Sequence, residues 1–142
     1  MSGMPVSMYS RSIYESLRAL GVATILVSDD EETCRHSVQK VLEREGHHVE
    51  AVESVDGALE RLSARKFDLI VCDYRMPGKT GIDLLAELGR LHSVVPVILI
   101  SAYADHSTEV TARAMGAVDL LHKPLRRKEL IDCVKRAIGF QR

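Results

Sequence analysis

From residue 23 onward the chain repeats one pattern five times: a short apolar run, then a stretch that is apolar along one helical face. The runs are Ala23-Thr24-Ile25-Leu26-Val27, residues 49–52, Leu69-Ile70-Val71-Cys72, Val97-Ile98-Leu99-Ile100 behind Pro96, and residues 118–121. Their near-continuous apolar character marks strands buried on both faces. The intervening stretches predict helices over 31–45 (Cys34, Val38, Val41 and Leu42 inward, Gly46 as stop), 54–66 (Ala58, Leu59, Leu62) and 80–91 (Ile82, Leu85, Leu88). Two more are predicted over 105–115, the least apolar, stopped by Gly116, and 126–138 (Leu130, Val134, Ala137). A helix between each pair of strands is the connection that parallel strands need, and such crossovers are right-handed.

The expected fold is therefore α/β: a five-stranded parallel sheet wound in both directions, flavodoxin-like (βα)5, with strand order 2-1-3-4-5. At 142 residues the chain suits one ordinary core, and no repeat or linker divides it. Residues 1–21 read as a leader with a short extra helix, for which Ser12-Ile13-Tyr14-Glu15 is a capping box, Ile13, Leu17 and Leu20 form one stripe, and Gly21 is the stop. Residues 22–142 read as the domain proper. With 19 basic against 20 acidic side chains, a net charge of −1 gives no bulk attraction to nucleic acid, and no direct nucleic-acid contact is expected. No apolar run is long enough for a bilayer and the start lacks the order of a secretory signal, so no membrane contact and a cytoplasmic location are expected. Cys34, Cys72 and Cys133 are widely spaced, without CxxC, and read as reduced, mostly buried small hydrophobes. His47-His48 would point to opposite faces of a strand, a poor chelate, and reads as a pair of polar residues at the surface.

In such a sheet ligands bind beyond the carboxyl ends of the strands where the winding reverses, here between the first and third strands. These end in Ser28-Asp29-Asp30 and Cys72-Asp73, so three carboxylates should share one crevice. Crowded carboxylates need a positive partner. A hard divalent cation such as Mg²⁺ fits an all-oxygen site, and Lys123 at the end of the fifth strand can add an ammonium; together they suit a phosphoryl group. Ser101, ending the fourth strand, contributes a hydroxyl. Taken singly, each residue has an ordinary explanation, since Asp-Asp caps helices, Ser forms turns and Lys-Pro leads into a helix. It is their order on four strand ends that carries the signal. Gly78-Lys79-Thr80 resembles the end of a phosphate-binding loop, but the glycine required five positions earlier is Asp73. An aspartate-nucleophile phosphatase would place a second Asp where Arg75 stands, and a dinucleotide fold would place glycines where Ser28-Asp29-Asp30 stands.

The segments Ile25-Leu26-Val27-Ser28-Asp29-Asp30-Glu31, Asp73-Tyr74-Arg75-Met76-Pro77-Gly78 with Gly81, Ser101-Ala102 and Lys123-Pro124 resemble the bacterial two-component response-regulator receiver domain over residues 22–139. The resemblance implies that Asp73 is the phosphoacceptor for a sensor histidine kinase or phosphotransfer protein. It implies Mg²⁺ on Asp30, Asp73 and the backbone carbonyl of Arg75, with Asp29 acting mainly through a bound water. It implies Ser101 and Lys123 as the phosphoryl-binding switch pair, and a cis bond before Pro124. It implies that Arg75 and Tyr103 occupy the positions flanking the acceptor, where they are expected to tune dephosphorylation. One departure is Leu120, where the family commonly has Tyr or Phe. The chain is expected to be a signalling domain that catalyses only its own phosphorylation and dephosphorylation, with homodimerisation on phosphorylation as one output and its downstream partner unidentified. The rival reading is a protein-binding module of the same fold that is never phosphorylated.

Overall fold

The structure is a computed structural model describing Ile13, Glu15, Ser16 and residues 19–103 and 105–139. Five strands, β1 (Thr24–Ser28), β2 (His48–Val52), β3 (Leu69–Asp73), β4 (Val97–Ser101) and β5 (Asp119–His122), alternate with five helices. These are α1 (Glu32–Arg44), α2 (Val55–Ala64), α3 (Gly81–Arg90), α4 (His106–Ala114) and α5 (Arg127–Gly139). All pairings are parallel and the sheet order is β2-β1-β3-β4-β5, as the alternating pattern requires. Among the described residues no helix is long and apolar enough to cross a membrane.

Because strand side chains alternate between faces, the sheet splits its apolar residues into two layers. Leu26, Ile70, Cys72, Leu99 and Leu120 face a layer with Ala58, Leu84, Leu85, Leu88 and Ala112, from α2, α3 and α4. Ile25, Val27, Val71, Ile98, Ile100 and Leu121 face the other, with Val38 and Leu42 of α1 and Leu130, Cys133, Val134 and Ala137 of α5. The helices start where capping side chains satisfy free N–H groups: Ser54 accepts from Gly57 N, Asp105 from Thr108 N, and Thr80 and Asp83 form a reciprocal box. At the end of α1, Gly46 takes φ +93°, and the N–H groups of Gly46 and His47 return to the carbonyls of Glu43 and Leu42.

Several expectations need correction. Leu84, absent from the predicted stripe of α3, is fully buried, while Ile82 is only partly so, because the helix turns its 84/85/88 edge to the sheet. Val118 precedes β5 and is exposed. His47 is not simply a polar residue at the surface: its Nδ1 accepts the Ala23 N–H at 2.9 Å, and burial lowers its basicity, as does the neighbouring His48. The three thiols are free, Cys72 and Cys133 buried and Cys34 half-buried. In the N-terminal helix, Ile13, Glu15, Ser16 and Ala19 are helical, but Leu20 lies in the turn before Gly21 and is exposed, so it joins no buried stripe. Residues 1–12, including Ser12, lie outside the described residues, as do Tyr14 and Leu17 of that expected helix.

Candidate functional site

The register places the polar strand ends side by side. Ser28 pairs with Cys72, Asp73 with Ile100, and Ser101 with His122. Asp29, Asp73 and Ser101 are consequently buried although each is polar, and Asp30 is exposed at the mouth. Gly81 allows the start of α3 to approach this rim. Its N–H donates to the Tyr74 carbonyl at 2.8 Å, and a Cβ there would stand 3.3 Å from the Asp73 carbonyl oxygen and 3.2 Å from Tyr74 Cα.

Asp29, Asp30 and Asp73 each offer a carboxylate oxygen within 4.8 Å of the others. Lys123 reaches in from the loop after β5, with Nζ 2.9 Å from Asp73 Oδ2 and 3.7 Å from Asp29 Oδ2. The other Asp73 oxygen accepts the Arg75 N–H at 3.2 Å, and Asp29 Oδ1 accepts the Glu31 N–H at 2.9 Å. Asp29 Oδ2 is buried without a hydrogen-bond donor. A buried carboxylate oxygen left without a donor is costly unless a cation reaches it. Lys123, 3.7 Å away, offers that oxygen charge but no hydrogen bond, and its open lone pairs within a cluster of hard oxygen donors fit Mg²⁺.

The electrostatics agree. Burial raises the Asp73 pKa, and the neighbouring Asp29 charge raises it further, against the opposing pull of Lys123 and the Arg75 N–H. Burial alone would lower the Lys123 pKa, but its hydrogen bond to Asp73 and the charges around it hold it above the ordinary value. Ser101 Oγ accepts the Tyr103 N–H at 3.2 Å, which leaves the hydroxyl proton able to donate. The Arg75 guanidinium carbon stands 6.0 Å from the centre of the Tyr103 ring, and both side chains are exposed. The Lys123–Pro124 bond is cis. Leu120 is buried in the α2–α3–α4 layer, on the strand one residue before Leu121 turns to the opposite layer. Two clefts border the site, one of about 510 Å³ beside Asp30 and Arg75, and one of about 540 Å³ between α1 and the Lys123–Arg127 segment, into which Cys34 faces. Burial and the adjacent Asp29 push the Cys34 thiol up to about 12.

Sequence reasoning missed two side chains near this rim. Arg35, one turn into α1, donates from Nη1 to the Asp29 carbonyl at 3.0 Å, and Met76 is buried with its sulfur 3.5 Å from the Ser28 hydroxyl. Arg35 falls on the polar side of an amphipathic pattern, and nothing in that pattern separates a solvated arginine from one folded back on the loop.

Comparison with known proteins gives a consistent answer. The sequence profile of the response regulator receiver domain matches residues 25–135. The chain is 35% identical over 118 residues to the response regulator protein FleR of Pseudomonas aeruginosa, covering 82% of this chain and 25% of that protein. It is 34% identical over 119 residues to the DNA-binding transcriptional regulator NtrC of Klebsiella pneumoniae, covering 84% and 25%. This chain thus spans about a quarter of the length of these curated relatives. Among solved structures, the receiver domain of Francisella response regulator 1452 superposes with a TM-score of 0.80 at 28% identity, covering 84% of this chain and 99% of that one. The receiver domain of NtrX from Brucella abortus gives 0.77 at 34%, covering 81% and 98%. Strand order, the acidic rim with its lysine and these likenesses converge: the chain belongs to the response regulator receiver domain family of two-component signalling.

Proposed function

We propose that Asp73 accepts a phosphoryl group from the phosphohistidine of a sensor histidine kinase or phosphotransfer protein, in a Mg²⁺-dependent reaction, and that the acyl phosphate then shifts the loop after β4 and α4. The observation that carries this reading is the Asp73 carboxylate, 9% exposed and tied to Lys123 at 2.9 Å within an acidic cluster. An Asp73 oxygen forms the new O–P bond as the N–P bond breaks, and the imidazole keeps the bonding electron pair. The residues that would hold the metal are Asp29, Asp30, Asp73 and the Arg75 carbonyl, and the ion supplies positive charge against the phosphoryl oxygens. Lys123, already charged, transfers its hydrogen bond from the carboxylate to the phosphoryl group, and the Ser101 hydroxyl turns its proton toward the same group. Element α4 is suited to follow, since it buries only Ala112 against the sheet.

Arg75, two residues after the acceptor, and Tyr103, two after Ser101, pair with each other and shield the acyl phosphate from water; trimming both to alanine should speed dephosphorylation, and an unchanged rate would remove them from that role. Buried Leu120 takes no part as an aromatic switch. Residues 22–142 form the signalling domain, residues 1–21 its leader, and the cytoplasm its location. Phosphorylation signals either through a downstream output or through homodimerisation. Incubation with acetyl phosphate and Mg²⁺, followed by intact-mass measurement, should add one phosphoryl group to the wild type and none to Asp73→Ala. No gain, or an equal gain in both, would favour the unphosphorylated binding module instead.

A further inference from the structure

We infer that Arg35 is a positioning residue for the acidic site, holding the Asp29–Asp30 peptide so that both carboxylates converge with Asp73 on one divalent cation. The inference rests on the Mg²⁺ reading above. Asp30 is exposed, and its direction is set by the peptide that joins it to Asp29. That peptide is fixed from three sides. The Asp29 N–H extends the sheet by donating to the Val52 carbonyl at 3.1 Å, and the Asp29 carboxylate accepts the Glu31 N–H at 2.9 Å. The Asp29 carbonyl accepts from Arg35 Nη1 at 3.0 Å. The first two bonds orient Asp29 itself. The third acts on the carbonyl that leads into Asp30, and it comes from a helix side chain that is 16% exposed.

The second arm of the guanidinium lies 3.5 Å from Glu53 Oε1, in the loop after β2. Glu53 is 77% exposed, so this pair adds little energy and only biases the plane of the fork, leaving the bond to the Asp29 carbonyl as the main restraint. Arg35 thus links α1, the β1 end and the β2 end at the peptide that leads into the exposed Asp30. A lysine offers a single point charge in place of the fork, so it can restore only part of that restraint.

The sign of the effect separates positioning from simple charge. A positive charge bonded to the Asp29 carbonyl repels a cation bound at the adjoining carboxylates, so if charge alone mattered, its removal would tighten Mg²⁺ binding. Positioning predicts the reverse. The test is calorimetric titration of the whole chain with MgCl2, for wild type, Arg35→Met, Arg35→Lys and Glu53→Gln, with a thermal melt of each in EDTA. Arg35→Met should weaken Mg²⁺ binding roughly ten-fold, the size expected for losing a group that orients a ligand. Arg35→Lys should recover part of that loss, Glu53→Gln should fall about two-fold or less below wild type, and the metal-free melts should nearly coincide. Unchanged or tighter binding by Arg35→Met would overturn the inference while leaving the cation site standing. Should Arg35→Met melt early, Arg35→Lys decides: binding several-fold weaker than wild type with an intact melt supports positioning, and equal binding overturns it. Failure of the wild type to bind Mg²⁺ would remove the cation site and this inference together.

Discussion

Replacing Lys123 with methionine keeps a long stem in the cleft beside α1 but removes the ammonium that sits 2.9 Å from Asp73 and 3.7 Å from Asp29. With an effective dielectric constant near 20, those two attractions amount to about 6 and about 4 kcal/mol. Dehydrating the ammonium offsets several kcal/mol of this, and breaking one side of a buried pair costs about 3–5 kcal/mol. The lysine side chain is still 19% open to solvent, which trims the expected loss to about 2–4 kcal/mol. For a domain of this size that lowers the melting temperature by about 10 °C. The folded-state pKa of Lys123 lies above its ordinary value of 10.5, so its contribution is complete below that pH and is lost only as pH climbs through the raised value. The deficit should therefore be constant across neutral pH. Mg²⁺ should bind more tightly to Lys123→Met, because its competitor for Asp29 and Asp73 is gone, and should restore part of the lost stability. The assay is thermal unfolding followed by circular dichroism, in EDTA and across a MgCl2 series. A variant that melts with the wild type in EDTA, or that binds Mg²⁺ more weakly, would refute the reasoning.

In wild type without metal, the raised pKa of Asp73 means that the folded state keeps a proton the unfolded chain has lost, so stability should fall as pH rises from 3.8 through the raised value. Asp73→Asn should lose that slope and melt above wild type at neutral pH in EDTA; a lower melt would show that the Lys123 pairing outweighs the burial of the charge. Gly81→Ala would put a Cβ 2.8 Å from Leu99 Cδ2 and 3.2 Å from Tyr74 Cα, costing about 1–3 kcal/mol in urea unfolding and slowing phosphorylation by displacing the rim at Asp73. Leu120→Ala should cost about 2–4 kcal/mol as a core truncation, whereas a near-neutral result in the same assay would mean that the side chain is not packed as a core residue.

Most of this molecule is legible in its sequence because the signals that specify it are local. Runs such as 69–72 and 97–100 are apolar throughout, and a parallel sheet covered on both faces is the arrangement that buries them. Strand ends were less legible. An apolar criterion stops β3 at Cys72 and β4 at Ile100, whereas backbone pairing carries each one residue further and buries Asp73 and Ser101. That extra residue places the polar groups within the sheet and its low-dielectric surroundings. The convergence of Asp29, Asp30, Asp73 and Lys123 could be expected from topology, since the winding reverses between β1 and β3. Contacts made by long side chains folding back were not visible. Arg35 on the Asp29 carbonyl and His47 on the Ala23 N–H depend on rotamers, which hydrophobic periodicity does not encode.

The central claim is that the carboxylates at the ends of β1 and β3 hold Mg²⁺ so that Asp73 can carry a phosphoryl group. Its most direct test is a crystal structure of the chain grown with MgCl2 and beryllofluoride, a phosphoryl mimic. The expected structure carries the adduct on an Asp73 oxygen, the metal on Asp30, Asp73 and the Arg75 carbonyl with Asp29 reaching it through a water, and both the Ser101 hydroxyl and the Lys123 ammonium on the fluorides. Beryllofluoride on another side chain, or a metal bound away from Asp73, would contradict it.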